Sequence, residues 1–264
     1  MDLGTERLIG RKDGAIGWLI FNNPERRNAV SLEMWQAIPA VLADFEADPQ
    51  IRVIVFTGAG GKAFVSGADI SQFADQRADR AANERYSARS AAASKAMAEL
   101  AKPSVAMIRG YCIGGGMAVA LGCDLRICSE DSKFGIPAAR LGLGYGFAGL
   151  KVLTDLVGPS VAKEILFTAR HFDAGEALRI GLVNKVTPVD GLEAAVRDYA
   201  ALIAQNAPLT IRAAKLGVRE ALKDPDRRQL DRVAQAVDAC FDSADYTEGR
   251  KAFMEKRKPI FHGL

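Results

Sequence analysis

The chain has 264 residues, 49% of them apolar and 25% charged, with a formal net charge of +3. That is the balance of an ordinary globular protein, long enough for one large core or for a core with a smaller appendage. Its basic residues are spread out, which argues against a nucleic-acid partner, and no apolar run approaches the ~18 residues of a membrane span.

The opening stretch "MDLGTERLIGRKDG" lacks the basic-then-apolar order of a signal peptide, so a cytoplasmic location is expected. "AIGWLIFNN" (Ala15 to Asn23) reads as a buried strand that ends in a turn at Pro24. "SLEMWQAIPAVLADFEAD" has helical spacing, with Ser31 as N-cap, Glu33 in the first turn and a kink or lost hydrogen bond at Pro39. "IRVIVFTG" is a short β-branched run stopped by Gly58, Gly60 and Gly61, which predicts a buried strand and then a loop, "GAGGKAFVSGAD". An Ala-rich helix is expected over roughly Arg77 to Leu100, broken by Lys102-Pro103. "SVAMIRG" follows as a strand, "GGGMAVALGCD" as a helix and "LRICSE" as a strand. From Gly158 the pattern turns helical apart from "LVNKV". The alternation predicts an α/β core over residues 1–190 and a helical region over 191–264.

Cys112, Cys123, Cys128 and Cys240 form no C-x-x-C pair and have no His at ligand spacing, so free buried thiols and no metal are expected. His171 and His262 stand in polar or terminal contexts and read as surface or packing residues. Asp124 reads as a partner for buried backbone donors, and Asp69 as a cap for the helix after its loop.

"GYCIGGGMAVALGCD", Gly110 to Asp124, carries three glycines straight into a helix. Without Cβ atoms, successive glycines let backbone N–H groups approach a ligand oxygen, and at a helix start those donors favour negative charge. That suits the oxyanion formed when a thioester carbonyl reacts. A second Gly-bearing loop, "KAFVSGADI" (Lys62 to Ile70), follows a buried strand, so one donor from each loop would pinch a carbonyl oxygen. "GYGFAG" (Gly144 to Gly149) also fits G-x-G-x-x-G, but no strand feeds it and nicotinamide binding is not expected.

Together, "KAFVSGADI", "IRGYCIGGGMAVALGCDLRI", "FGIPAARLGLGYG" and "EGRKAFMEKRKPIFHG" resemble the crotonase (enoyl-CoA hydratase/isomerase) family, in order from Ala15 to Gly263. The resemblance implies an α/β spiral of ββα repeats with a helical C-terminal region, assembled as trimers or hexamers. It implies an acyl-CoA thioester as ligand, with coenzyme A arriving as part of the substrate and no other cofactor. The family's oxyanion N–H groups map onto Ala68 and Gly115. Its CoA contacts map near Arg26 and Arg27 of "PERRNA" and along Ser66, Ala68 and Ile70, with a neighbouring subunit's Phe253 and Lys256 approaching the 3′-phosphate.

The family's hydratases carry two glutamates at the positions occupied here by Ala118 and Ala138. One positioned acid or base contributes roughly 10²–10⁴ in rate, so their loss predicts a poor hydratase. Tyr145 stands where the similar methylmalonyl-CoA decarboxylases place a tyrosine, although that branch has His where this chain has Ala68. Decarboxylation needs enolate stabilisation but no base, which leaves it open as the reaction. Arg140, Ser66, Asp69 and Tyr86 are further polar groups within reach of such a pocket, Arg140 suiting a carboxylate on the acyl group. A non-catalytic acyl-CoA-binding or scaffold protein is the alternative expectation.

Overall fold

A computed structural model describes residues 3–69 and 80–264. β1 (Leu8–Asp13) and β2 (Ile16–Phe21) form an antiparallel hairpin that turns at Gly14, φ +56°. The helix α1 (Leu32–Ala47) starts at Ser31, whose Oγ accepts the Met34 N–H, and runs on through Pro39 at the loss of one ladder bond.

Among the described residues, three ββα units then follow one another. In the first, β3 (Val53–Gly58) joins one sheet, β4 (Ala63–Val65) joins another, and α2 (Arg80–Glu99) packs on α1. The second has β5 (Ser104–Ile108), β6 (Tyr111–Ile113) and α3 (Gly115–Leu121). The third has β7 (Leu125–Ser129), β8 (Lys133–Gly135), a 3-10 turn at Pro137–Leu141 and α4 (Phe147–Val157). First strands build the large sheet, in the order β1-β2-β3-β5-β7-β10, where β10 is Lys185–Thr187. Second strands build a small one, β4-β6-β8-β9, closed by β9 (Phe172–Asp173). The expected α/β spiral is the fold observed.

Both faces of the large sheet are buried, which explains its near-continuous apolar strands. Leu19, Phe21, Ile54 and Phe56 face the small sheet and α1. Trp18, Val53, Val55 and Val105 face Leu192, Val196 and Ala200 of α7 (Leu192–Ala204). Phe64 of β4 is fully buried edge-on to Phe21 at 6.1 Å and ties the two sheets together. Helices begin earlier than the composition suggested, at Phe147, and continue through α5 (Pro159–Thr168) and α6 (Ala174–Arg179). Cys112, Cys123 and Cys128 are free and buried as expected, whereas Cys240 is only half-buried.

The last helices, α8 (Pro208–Ala221), α9 (Leu230–Phe241) and α10 (Ala244–Met254), are held by the tail that follows them. Buried Asp245 accepts the N–H groups of His262 and Gly263, and Arg52 donates to the Phe261 carbonyl at 2.8 Å. Glu248 accepts two guanidinium N–H groups of Arg257 and the Ile260 N–H. The Arg257 bonds and then the Ile260 bond hold the Glu248 carboxyl at about 2, below its ordinary 4.5. A depressed carboxyl contributes stability that is fully present above the unfolded value and lost as pH falls through the folded one. Glu248→Gln is therefore expected to melt below the parent at pH 7, the gap closing between about pH 4.5 and 2. Thermal melts across that range check it, and a gap that persists at pH 2 would remove the carboxylate from the account.

Candidate active site

The parallel pairing of β4 and β6 (Ala63↔Tyr111, Val65↔Cys112) brings the loops leaving their carboxyl ends side by side. Each glycine of the triplet has its own task there. Gly114 takes φ +53° and ψ −106°, which L side chains avoid, while its N–H donates to Gly135 O at 2.9 Å. At Gly116 a Cβ would stand 2.1 Å from the Val65 carbonyl oxygen, so only glycine lets α3 seat on β4. At Gly115 a Cβ would lie 3.4 Å from the Ala68 nitrogen, on the rim where the two loops meet.

Ala68 forms an isolated parallel bridge with Val30. The Val30 N–H donates to Gly67 O and the Asp69 N–H to Val30 O, so the bridge uses the flanking residues. The Ala68 N–H is left on the opposite side. The Gly115 N–H is one of the first-turn donors that have no partner within a helix. Neither amide has an acceptor among the described residues. Two open donors on touching loops are the geometry that receives an anionic oxygen.

They open onto a cavity of about 410 Å³. One wall comes from Trp35 of α1 with Ser90 and Ser94 of α2, the other from the segment Ile136 to Gly149. Tyr145 lies half-buried in that second wall, its ring against Gly149, and its hydroxyl has no hydrogen-bond partner among the described residues. Burial raises the Tyr145 pKa above its ordinary value, with buried Cys112 adding in the same direction, so the phenol stays protonated at neutral pH. Among the described lining residues Tyr145 is the one ionisable side chain.

The family model described as enoyl-CoA hydratase/isomerase matches residues 11–263 of this chain. The chain belongs to the enoyl-CoA hydratase/isomerase family. It is 33% identical to a short-chain-enoyl-CoA hydratase of Clostridium acetobutylicum over 95% of each chain. It is 35% identical to a crotonyl-CoA hydratase of Syntrophomonas wolfei, covering 98% of this chain and 99% of that one. Its fold matches the crystal structure of an enoyl-CoA hydratase/carnithine racemase from Magnetospirillum magneticum with a TM-score of 0.92. That pair shares 34% identity over 98% of this chain and 97% of the other.

On this hydratase/isomerase scaffold the sequence-derived residues separate into two groups. Ser66, Ala68, Gly115, Ala118, Ala138 and Tyr145 all line the one cavity, with Ala118 exposed to it. Arg26 and Arg27 stand beside it, since Arg27 O accepts the Ser66 N–H. Arg26 is no free turn residue: one of its guanidinium nitrogens donates to both oxygens of buried Asp69 at 3.1 Å. The helix that Asp69 was expected to cap lies outside the described residues, as do Ile70 and the Tyr86 side chain. Arg27 lies over the Tyr111 ring at 5.2 Å. Arg140 is exposed and does not line the cavity, so it is not placed to meet an acyl carboxylate. Phe253, 82% exposed on α10, and Lys256, in the turn that follows it, do not line this cavity within the chain. Asp124 meets its expectation by accepting the Ser104 N–H at 2.7 Å, and it also pairs with Lys215.

Asn28 is the residue that sequence reasoning missed. Fully buried at φ +57°, it accepts the Asn23 N–H and donates to Ala59 O and Ala63 O, fixing the approach to β4. Asn tolerates that backbone region and its amide replaces peptide hydrogen bonds, which is the available signal in "PERRNA". Asn28→Ala would strand those buried groups and is expected to lower stability by about 2–4 kcal/mol. Urea unfolding checks this, and a loss below ~1 kcal/mol would show the network to be replaceable.

Proposed function

We propose that this chain binds acyl-CoA thioesters and polarises the thioester carbonyl between the Ala68 and Gly115 N–H groups. It stabilises an enolate or related oxyanion without a carboxylate acid or base. The observation that carries this reading is the pair of open amides facing a cavity in which Tyr145 is the one ionisable side chain among the described lining residues. One such donor is worth about 10²–10³ in rate.

Hydration needs a water oriented by a carboxylate and a proton delivered to the α-carbon. Ala118 and Ala138 offer methyl groups at the positions where the resemblance puts those acids. Decarboxylation of a malonyl-type thioester makes no such demand. The bond between the carboxyl and α-carbons breaks and carbon dioxide leaves. The electron pair stays on the α-carbon and delocalises onto the thioester oxygen. A proton then reaches the α-carbon from the Tyr145 O–H, which water reprotonates. The raised pKa of Tyr145 supports its role as a donor rather than a base. Coenzyme A enters as part of the substrate, with Arg26, Arg27 and Ser66 along its path.

Self-association as a trimer or hexamer in the cytoplasm belongs to the same reading. Exposed Phe241, Phe253 and Met254 on the C-terminal helices support a covered face there, with Phe253 and Lys256 reaching a neighbour's CoA. The methyl groups at Ala118 and Ala138 also favour a second reading, a non-catalytic acyl-CoA binder.

Gly115→Pro removes one donor at the first helical position, where proline is tolerated. Turnover of the malonyl-type thioester is expected to fall about 10²–10³-fold while CoA binding persists. Unchanged turnover would sink the oxyanion assignment, and no turnover of any thioester by the unmodified protein would select the binder. On crotonyl-CoA the unmodified protein is expected to be slow, and Ala118→Glu with Ala138→Glu should raise hydration by about 10² or more. A kcat/KM near the diffusional ceiling of roughly 10⁸ M⁻¹s⁻¹ without those acids would overturn the reading of the alanines.

A further inference from the structure

We propose that the α2 wall of the cavity selects acyl groups carrying an acceptor oxygen beyond the α-carbon, a ketone or a carboxylate, through the hydroxyl of Ser94 facing that of Tyr145. This rests on the reading that the cavity holds the acyl part of a thioester, and it names the class of acyl group.

The inward stripe of α2 runs through Ala93, Met97 and Leu100, all buried in the main core. Ser90 and Ser94, four residues apart and so on one helix face, adjoin that stripe where the cavity opens. A helical serine either turns its hydroxyl back to the carbonyl four residues earlier or points it away from the helix, and Ser94 is exposed. Ser94 makes no such bond to Ser90 O and has no other hydrogen-bond partner among the described residues. Across the cavity Tyr145 presents a second hydroxyl in the same condition. The rest of the facing wall is apolar at Ile136, Pro137, Ala138, Leu141 and Leu143.

A hydrocarbon acyl chain filling this space would displace water from those hydroxyls and give nothing back. Leaving a polar group dry and unpaired is penalised far more than an ordinary hydrogen bond is rewarded. An acceptor oxygen between the α2 wall and Tyr145 meets donors from both sides. No Lys, Arg or His among the described lining residues competes for it, so a neutral ketone is accommodated as well as a carboxylate. Selectivity for such oxygens follows from placement of hydroxyls rather than from charge.

Calorimetric titration with matched pairs separates the possibilities: acetoacetyl-CoA against butyryl-CoA for the ketone, and succinyl-CoA against pentanoyl-CoA for the carboxylate. The unmodified protein is expected to bind at least one oxygenated member about tenfold tighter than its apolar partner. In Ser94→Ala, shown folded by circular dichroism, that ratio is expected to fall to within about twofold of unity. A preference in one pair only supports the proposal and identifies the source of the oxygen. Equal affinities within both pairs, or a preference that survives the Ser94 replacement, would overturn it while leaving the acyl-CoA reading intact. Binding of none of the four thioesters would overturn both.

Discussion

The contact on which the site depends is the seating of α3 against β4. With a Cβ at residue 116 the Val65 carbonyl would be struck at 2.1 Å, so the helix would lift away and take the Gly115 amide with it. Parallel pairing of β4 with β6 and the Val30 bridge fix the other amide, that of Ala68. Both donors are therefore held by backbone that is hydrogen-bonded on its far side, and in the proposed reaction they would need no rearrangement as charge develops between them. A site made this way is indifferent to most side chains around it. An acid or a base, by contrast, disappears with one substitution, and the scaffold that would present Ala118 and Ala138 to a substrate stays in place without carboxylates.

Two side chains stand in for secondary structure where the chain has none. Asn28 closes the approach to β4 by bonding the carbonyls of Ala59, in the loop before it, and of Ala63, its first residue. Arg26 reaches across to buried Asp69 and thereby holds the end of the loop that carries Ala68. The backbone between them adopts positive φ at both Arg27 and Asn28. Sustaining that conformation at two successive non-glycine residues costs on the order of 1–3 kcal/mol each, which buried bonds of the Asn28 kind offset. The loop geometry is thus over-determined, as a preorganised donor pair requires.

Much of this was legible in the sequence, and what was not has a physical reason. Strands β3, β5 and β7 show as apolar runs because the large sheet is covered on both faces. The small sheet is invisible to periodicity because β4, β6 and β8 have three residues each, too few for an alternation to appear. β1 hid for the opposite reason, being exposed at five of its six positions, although Asp13-Gly14 is a hairpin signal. The two amides were legible only through resemblance, since an alanine in a Gly-x-Asp triplet announces no chemistry of its own. Ser94 was not legible at all. Its proposed role comes from facing a cavity whose other wall lies some fifty residues further along the chain.

The distribution of donors in the cavity carries the argument from structure to chemistry. At the end where the loops meet, the cavity is lined by Ala68 and Gly115, whose peptide N–H groups have no acceptor among the described residues. At the other end there are hydroxyls, and no cation among the described lining residues. Neutral hydroxyls orient a carboxylate without neutralising it, and in a space walled by Ile136, Leu141 and Leu143 its charge is poorly screened. In the decarboxylation proposed above, breaking the bond to the α-carbon would move that charge onto the thioester oxygen, from the end with weaker donors to the end with preorganised ones. Stabilisation then increases along the reaction coordinate instead of being present at its start, which is the condition for raising a rate rather than only tightening binding. A hydratase carboxylate at either alanine would place a second negative charge in the same small volume and oppose that migration. On this account, the methyl groups of Ala118 and Ala138 are part of the electrostatics of the site.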